Sequence, residues 1–169
     1  MQVIDLLDIP VFPEGSVKKV YCDLDGVLAD LEGYARTNWG VEVRLGSRGC
    51  ISREEFWRNM RRDYASGIRV FRNLAFTQHA VQIWTQALRW DDKPEILTVG
   101  AMGDLQDWVA SDKVDWILEN LGSYDAWITD SSLRKVDRAG PGVLLIDDSA
   151  LVCAKFMDSG GMAWHITVN

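Results

Sequence analysis

The segment from Val20 to Asp30 reads VYCDLDGVLAD and constrains the chemistry of this chain more than any other stretch. An apolar, strand-like run leads into Asp23 and Asp25, and Gly26 follows as a turn residue. Alternate side chains of a strand share a face, so the two carboxylates would point the same way if the strand continued through them. Close carboxylates repel one another unless a cation lies between them, and Mg²⁺ prefers oxygen ligands. The segment therefore predicts a strand that ends in a magnesium site, with an ordinary strand and Asp-Gly turn as the alternative.

Two other apolar runs also end in polar side chains, which favours the magnesium site over the ordinary turn. The run 95–98 ends in Thr98, and the run 143–148 ends in Asp147 and Asp148. Sites in open parallel α/β sheets form at the carboxyl ends of strands. We therefore expect the hydroxyl and the second acidic pair to join the first pair at one edge of a parallel sheet.

The order of the apolar segments predicts an α/β protein, with a Rossmann-like parallel sheet and helices on both faces. The predicted strands cover 17–24, 95–99, 125–129, 143–147 and 162–167, and two of the predicted helices cover 104–121 and 149–159. Residues 31–73 show helical patterns but no strand of the main sheet, so they are predicted to form a small, mainly helical insertion after the first strand. The core then consists of residues 1–30 and 74–169, with 1–16 as an N-terminal extension.

The charge of the chain is unevenly distributed. The net charge of −7 argues against a long nucleic acid as partner, because phosphate backbones favour basic surfaces. Between residues 44 and 72, however, the sequence contains eight arginines and three acidic residues, which gives that window a net charge of +5. The planar guanidinium of arginine suits phosphate, so the window could contact a phosphorylated substrate. A solvated helix face with pairs such as Glu54–Arg58 is the alternative interpretation.

Composition also limits the location expected for the protein. No apolar run is long enough to span a membrane, and the first eight residues lack a basic leader. Cys22, Cys50 and Cys153 lack the spacing of a metal site, and reduced thiols are the simplest interpretation. We therefore expect a cytoplasmic protein that does not bind membranes.

The ordered motifs resemble those of the haloacid dehalogenase-like (HAD) superfamily of phosphatases over residues 18–167. Within that superfamily, the chain is similar to the 5′(3′)-deoxyribonucleotidase branch and its phage-type relatives. The resemblance is carried by Asp23-Leu24-Asp25-Gly26-Val27-Leu28-Ala29-Asp30, Lys113-x-x-Trp116-x-x-x-x-Leu121-Gly122, and Leu145-Ile146-Asp147-Asp148 followed by Gly160-Gly161. It implies that residues 31–73 are a cap that closes over the active site.

The resemblance also implies an activity, which is Mg²⁺-dependent hydrolysis of phosphate monoesters through an aspartyl-phosphate intermediate. Asp23 would be the nucleophile, and Asp25 would protonate the leaving group and then activate water. Thr98 would offer its hydroxyl to the phosphoryl group. The metal site would comprise Asp23, Asp25, Asp147 and Asp148, with Asp148 and the backbone carbonyl of Asp25 favoured as direct ligands.

Two lysines compete for one role at this site. The family normally uses a single phosphate-contacting lysine, and Lys113 and Lys135 are both candidates. In the deoxyribonucleotidase branch this lysine lies in the link before the last acidic strand, and that link is slightly shorter than the one in this chain. We favour Lys135 on this basis, and its ammonium should then lie within salt-bridge reach of Asp23 or Asp147.

The substrate implied by the resemblance is a small phosphorylated molecule, with a nucleoside monophosphate favoured. Aromatic cap residues stack on the base in that branch. The candidate substrate-binding residues are Asp30, Phe56, Trp57, Arg58 and Arg62. A polynucleotide 3′-phosphate and a sugar phosphate fit the same chemistry. Two non-enzymatic alternatives are a receiver-like phosphoacceptor, whose acidic pair would come first in the chain, and a silent binding module, which would have lost an acid or a lysine.

Overall fold

A computed structural model describes residues 7–44 and 48–167. Its centre is a parallel sheet of five strands in the order β3-β2-β1-β4-β5. The strands are β1 (Lys19–Cys22), β2 (Glu95–Val99), β3 (Ala126–Thr129), β4 (Val143–Asp147) and β5 (Met162–His165). The helices are α1 (Leu31–Trp39), α2 (Arg53–Ala65), α3 (Ala80–Trp90), α4 (Gln106–Asn120) and α5 (Ala150–Asp158). The predicted α/β class and parallel sheet are confirmed.

Both faces of the sheet are apolar, because both faces are covered. In β1 the side chains alternate, so Val20 and Cys22 join a large buried cluster that includes residues of α3 and α4. Tyr21 points to the other face and packs with Leu145 and with Phe156 of α5. Helices therefore lie on both sides of the sheet, as a strand pattern of nearly continuous apolar residues predicts.

The strand order places the end of β1 beside the end of β4. The chain moves outward from β1 through β2 to β3, and then returns across the sheet to pair β4 with β1. β1 and β4 are parallel and in register, with Cys22 opposite Ile146. In open α/β sheets the point where strand order reverses forms a crevice at the carboxyl ends of the strands. Asp23 and Asp147 lie at that crevice.

Residues 31–73, referred to below as the insertion, contribute no strand to the sheet in their described part. They contain α1, α2 and a short 3₁₀ turn at Phe71–Asn73. The two helices are joined through buried Asp63 of α2, whose Oδ2 accepts hydrogen bonds from the Tyr34 hydroxyl at 2.9 Å and from Trp39 Nε1 at 2.7 Å. That the insertion acts as a cap stays a prediction, and residues 1–6 of the predicted N-terminal extension lie outside the described residues.

The described helices are too short or too polar to cross a membrane. Cys22 and Cys153 are buried and Cys50 is half-buried, and all three are free thiols.

Candidate active site

Three carboxylates meet where β1 and β4 end. Asp23, Asp147 and Asp148 each place a carboxylate oxygen so that the three oxygens lie within 4.8 Å of one another. Asp23 and Asp147 are buried, and Asp148 is half-buried. We call these three residues the carboxylate cluster. Like charges at such distances repel strongly in a poorly hydrated site, so the cluster requires positive charge nearby.

Lys135 supplies part of that charge. Its ammonium lies 2.7 Å from Asp147 Oδ2 and 2.9 Å from Asp23 Oδ1, and the residue is 2% exposed. Burial by itself lowers the pKa of Lys135, but the attraction of Asp23 and Asp147 outweighs burial and raises that pKa overall. The lysine is therefore an ammonium held between two carboxylates, within the salt-bridge reach that the sequence predicted.

One ammonium does not balance three carboxylates. Burial, followed by the charge of Asp23, raises the pKa of Asp147 to about 6 and the pKa of Asp148 to about 8. Asp147 Oδ1 accepts a hydrogen bond from the Ser149 amide at 2.8 Å, which offsets only part of the repulsion. An all-oxygen donor set with excess negative charge is what a hard divalent cation such as Mg²⁺ binds. The residues present therefore fit such an ion.

Asp25 belongs to a second group of charges. β1 ends at Cys22, so strand alternation does not extend as far as Asp25, whose carboxylate is not part of the carboxylate cluster. Its Oδ2 accepts a hydrogen bond from Lys113 at 2.5 Å. Its Oδ1 is buried and has no hydrogen-bond partner among the described residues. Burial raises the pKa of Asp25, and the neighbouring ammonium of Lys113 opposes that rise.

Lys113 is as deeply buried as Lys135 but contacts different groups. Besides Asp25, its ammonium donates to Thr98 Oγ1 at 3.0 Å and to the Val99 carbonyl at 2.5 Å. The ring of Phe71 lies beneath it, with the centroid 4.7 Å from Nζ. The structure therefore brings both candidate lysines into the site, where Lys135 pairs with Asp23 and Asp147 and Lys113 pairs with Asp25. Which of them contacts a substrate phosphate stays a prediction.

Gly26 brings the turn after Asp25 against the carboxylate cluster. Its φ of +78° lies in the left-handed region that favours glycine, and a Cβ at this position would lie 2.3 Å from Asp148 Oδ2. The amide of Gly26 also closes the turn through a 2.9 Å hydrogen bond to the Ala29 carbonyl. Backbone conformation therefore favours glycine here, and any larger residue would also have to displace the Asp148 carboxylate.

Two neighbouring cavities open beside these residues. The first, which we call the acidic cavity, measures about 390 Å³ and is lined by Asp25, Asp148 and Arg44, among others. The second, the aromatic cavity, also measures about 390 Å³ and is lined by Phe56 and Trp57 of α2 together with hydroxyl, apolar and two charged residues, Arg53 and Asp130. Leu31 and Val43 line both cavities, so the two are adjacent.

The other predicted substrate-binding residues lie outside these two cavities. Asp30 caps α1, accepting a hydrogen bond from the Gly33 amide at 2.8 Å, and it lines a third cavity that shares Gly26, Glu32 and Arg44 with the acidic cavity. Arg58 and Arg62 line none of these three cavities. Arg58 pairs with Glu54 at 3.3 Å, and Arg62 pairs with its neighbour Asp63 at 3.4 Å. The structure does not bring these two arginines to the carboxylate cluster.

Some residues that line the acidic cavity were missed by sequence reasoning. Arg44 forms a bidentate ion pair with Glu32, in which Nε donates to Oε1 at 2.7 Å and Nη2 donates to Oε2 at 2.8 Å. Both residues line the acidic cavity. The high arginine content of the 44–72 window was the available signal for Arg44. His165 lies opposite Asp147 in the sheet, and a nitrogen of its ring is 3.1 Å from the Asp148 carbonyl. No motif spacing in the sequence marked His165.

Comparison with known proteins adds one structural likeness. Neither a protein-family model nor a curated protein matches the sequence. Among solved structures, the chain is similar to a HAD-family enzyme from Bacteroides thetaiotaomicron, determined in complex with magnesium and inorganic phosphate. The two chains share 15% identity with a TM-score of 0.47, over 89% of this chain and 94% of the other. Similarity at this identity and TM-score does not determine an activity. The geometry of the site itself defines its class, which is a group of carboxylates with buried lysines at the point where the strand order of a parallel α/β sheet reverses.

Proposed function

We propose that this protein is a HAD-type phosphatase that hydrolyses phosphate monoesters with Mg²⁺. The observation that carries the proposal is that the site contains two groups of residues, each with its own buried lysine paired with carboxylates. Asp23 lies in the carboxylate cluster with Lys135, and Asp25 lies beside it with Lys113 and Thr98. The first group offers a carboxylate nucleophile beside a place for a cation. The second offers a proton donor, Asp25, beside the Thr98 hydroxyl that is proposed to bind a phosphoryl oxygen.

The proposed reaction uses these positions in two steps. A carboxylate oxygen of Asp23 attacks phosphorus, the bond from phosphorus to the leaving oxygen breaks, and Asp25 gives its proton to that oxygen. Water then attacks the phosphorus of the aspartyl-phosphate, Asp25 takes a proton from the water, and Asp23 is released with inorganic phosphate. The raised pKa of Asp25 suits a residue that begins the cycle as an acid. Its Oδ1 has no hydrogen-bond partner among the described residues, so a proton on that oxygen would displace no existing contact.

The carboxylate cluster would hold the metal. In the proposal Asp23 and Asp148 are direct ligands together with the backbone carbonyl of Asp25, and Asp147 completes the site while holding Lys135. When bound, Mg²⁺ supplies positive charge that offsets the repulsion between the Asp23 carboxylate and the substrate phosphate.

The proposed substrate is a nucleoside monophosphate. The support is the aromatic cavity, which adjoins the acidic cavity along Leu31 and Val43. Phe56 and Trp57 meet edge to face there, with ring centroids 5.0 Å apart. Aromatic side chains of this kind stack on nucleobases. A phosphate bound near Asp23 could therefore carry its nucleoside toward these rings.

The test is a phosphate-release screen with and without Mg²⁺. The panel comprises nucleoside monophosphates, sugar phosphates, 3′-phosphorylated oligonucleotides and p-nitrophenyl phosphate. We expect release that depends on Mg²⁺ and is fastest with a nucleoside monophosphate. Faster release from a sugar phosphate or an oligonucleotide would contradict the nucleotide part alone, and no Mg²⁺-dependent release from any compound would contradict the phosphatase proposal.

Trp57→Ala should raise the KM for a nucleoside monophosphate about tenfold or more, because base stacking contributes about 1–3 kcal/mol. The KM for p-nitrophenyl phosphate should change less, since that substrate lacks a nucleobase. Steady-state kinetics with both substrates measures the difference. Arg58→Ala is the matched variant one residue along α2, and its exposed pair with Glu54 leads us to expect an unchanged KM. A KM increase confined to Arg58→Ala would instead place that arginine in contact with substrate.

Gly26→Ala should weaken Mg²⁺ binding about tenfold or more, because the new methyl group would displace the Asp148 carboxylate. Isothermal titration with MgCl₂ measures this affinity. Gly67→Ala is the matched control, since Gly67 has a similar φ of +81° but no atom within 4 Å of an added Cβ. Both variants should lose about 1–2 kcal/mol of stability from the left-handed backbone, and only Gly26→Ala should lose metal affinity. Equal Mg²⁺ affinities for the two variants would rule out this role of Gly26.

A further inference from the structure

Asp112 is fully buried, although the reaction proposed above does not use it. It precedes Lys113 in α4, and its carboxylate accepts hydrogen bonds from the Tyr64 hydroxyl and the Arg69 guanidinium, both of which belong to the insertion. The guanidinium of Arg69 also lies over the ring of Trp108, 5.1 Å from its centroid. A buried carboxylate is unfavourable unless its partners are in place. These contacts therefore fix the insertion firmly to α4.

The last residues of the insertion and the segment that follows it meet the same face of α4 at two further points. The ring of Phe71 lies under the ammonium of Lys113, and Trp116 Nε1 donates to the Leu74 carbonyl at 2.8 Å. Asp112, Lys113 and Trp116 are each at most 1% exposed. We call these three α4 residues the α4 strip. Of the strip, only Lys113 contacts Asp25 or Thr98 within the described part of the chain.

The position of the Lys113 ammonium depends on where α4 lies. The Lys113 side chain is 1% exposed, so the packing around its stem leaves it little room to compensate for a shift of α4. Its three hydrogen bonds to Asp25, Thr98 and Val99 therefore form together only if its backbone is correctly placed. A misplacement of about 1 Å from outside the reacting groups can lower a rate on the order of 10²-fold. We propose that Asp112 is a positioning residue. Through Tyr64 and Arg69 it holds α4 against the insertion, so that Lys113 reaches Asp25. The effects on kcat described below rest on the proposed function, because they are measured as phosphatase activity.

Asp112→Ala should lower kcat for p-nitrophenyl phosphate about 10- to 100-fold, with KM changed less than about twofold, because Asp112 does not touch the substrate. Arg72→Ala is the matched control. Arg72 pairs with Asp115 and Glu119 of the same helix but is itself substantially exposed, so kcat should stay at the wild-type value. If Asp112→Ala does not fold, Tyr64→Phe removes one of the two contacts and should give a smaller kcat loss with the same unchanged KM.

A double-mutant cycle with Lys113 separates positioning from a general structural role. In a Lys113→Ala background, Asp112→Ala should lower kcat no further, since no ammonium remains to be positioned. Equal losses of kcat in both backgrounds would overturn the proposal.

Crystal structures of the same variants give a readout that does not depend on activity. In Asp112→Ala the Lys113 ammonium should lie beyond 4 Å from Asp25, whereas in Arg72→Ala the ammonium should keep its contacts. If the ammonium keeps its three hydrogen bonds in Asp112→Ala, the positioning role is wrong, even where the phosphatase activity is established. A wild-type protein without phosphatase activity would contradict the proposed function, and the crystal structures would still decide the positioning role.

Discussion

Asp23→Asn should abolish turnover of phosphate monoesters while the protein stays folded. The amide that replaces the carboxylate is a poor nucleophile, so kcat should fall by on the order of 10⁴-fold or more, as for other covalent nucleophiles. Lys135 keeps Asp147 as a partner at 2.7 Å, and the loss of one negative charge relieves repulsion in the carboxylate cluster. The melting temperature in chelator should therefore be equal to or higher than that of the wild type. Phosphate release and thermal unfolding measure the two effects.

The control for this variant is an acid outside the site. Asp104 lies on the surface, where it pairs with Arg61 at 3.1 Å, and Asp104→Asn should leave turnover unchanged. A phosphorylated form of the wild-type enzyme, trapped by rapid acid quench and absent from Asp23→Asn, would identify the intermediate. Full activity in Asp23→Asn, or wild-type activity in excess chelator, would contradict the proposed reaction.

Lys135→Ala should have the second largest effect, through both rate and stability. A lysine that stabilises charge on the transferring phosphoryl group contributes about 10²–10³-fold to kcat. The same change removes the partner of two buried carboxylates, and breaking a buried ion pair lowers the free energy of unfolding by about 3–5 kcal/mol. Bound Mg²⁺ would replace part of the missing positive charge. The loss of stability should therefore be larger in chelator than in saturating MgCl₂, as denaturant unfolding under both conditions would measure.

Lys113→Ala is the matched variant for the other lysine. Its ammonium pairs with Asp25 and not with the carboxylate cluster, so its loss of stability should depend little on Mg²⁺. We expect its kcat to fall less than that of Lys135→Ala. If Lys113→Ala shows the larger fall in kcat, the two lysines exchange roles and Lys113 is the phosphate contact.

The strands that end in polar residues could be predicted from sequence because their pattern is local. The predicted strands 95–99 and 143–147 agree with β2 and β4. A run of apolar residues buried on both faces, followed by a charged residue at the sheet edge, is encoded within a few neighbouring positions. The polar residues at the strand ends can be predicted from the same local pattern. They meet in space because parallel strands end at a common edge of the sheet.

For the first strand, the local pattern predicted the wrong end of the strand. The sequence predicts a strand over 17–24, but β1 ends at Cys22. Beyond it the amides of Leu28 and Ala29 both donate to the Leu24 carbonyl at 2.9 Å, so Asp25 lies within a tight turn and not in the strand. Asp23 and Asp25 therefore reach different lysines instead of sharing one face. Period-two alternation extends only as far as the strand does, and β1 ends two residues before the predicted end of the strand.

The α/β sheet, the polar residues at its edge and the two candidate lysines can all be predicted from local sequence patterns. The pairing of lysines with acids depends on tertiary packing, because Lys113 and Asp25 are 88 positions apart and meet only when α4 packs beside the sheet. The arginine window shows the same dependence: Arg44 lines the acidic cavity, whereas Arg58 pairs with an acid on its own helix. Residue type and local pattern specify what a side chain can do, and the packing of distant segments specifies which partner it meets.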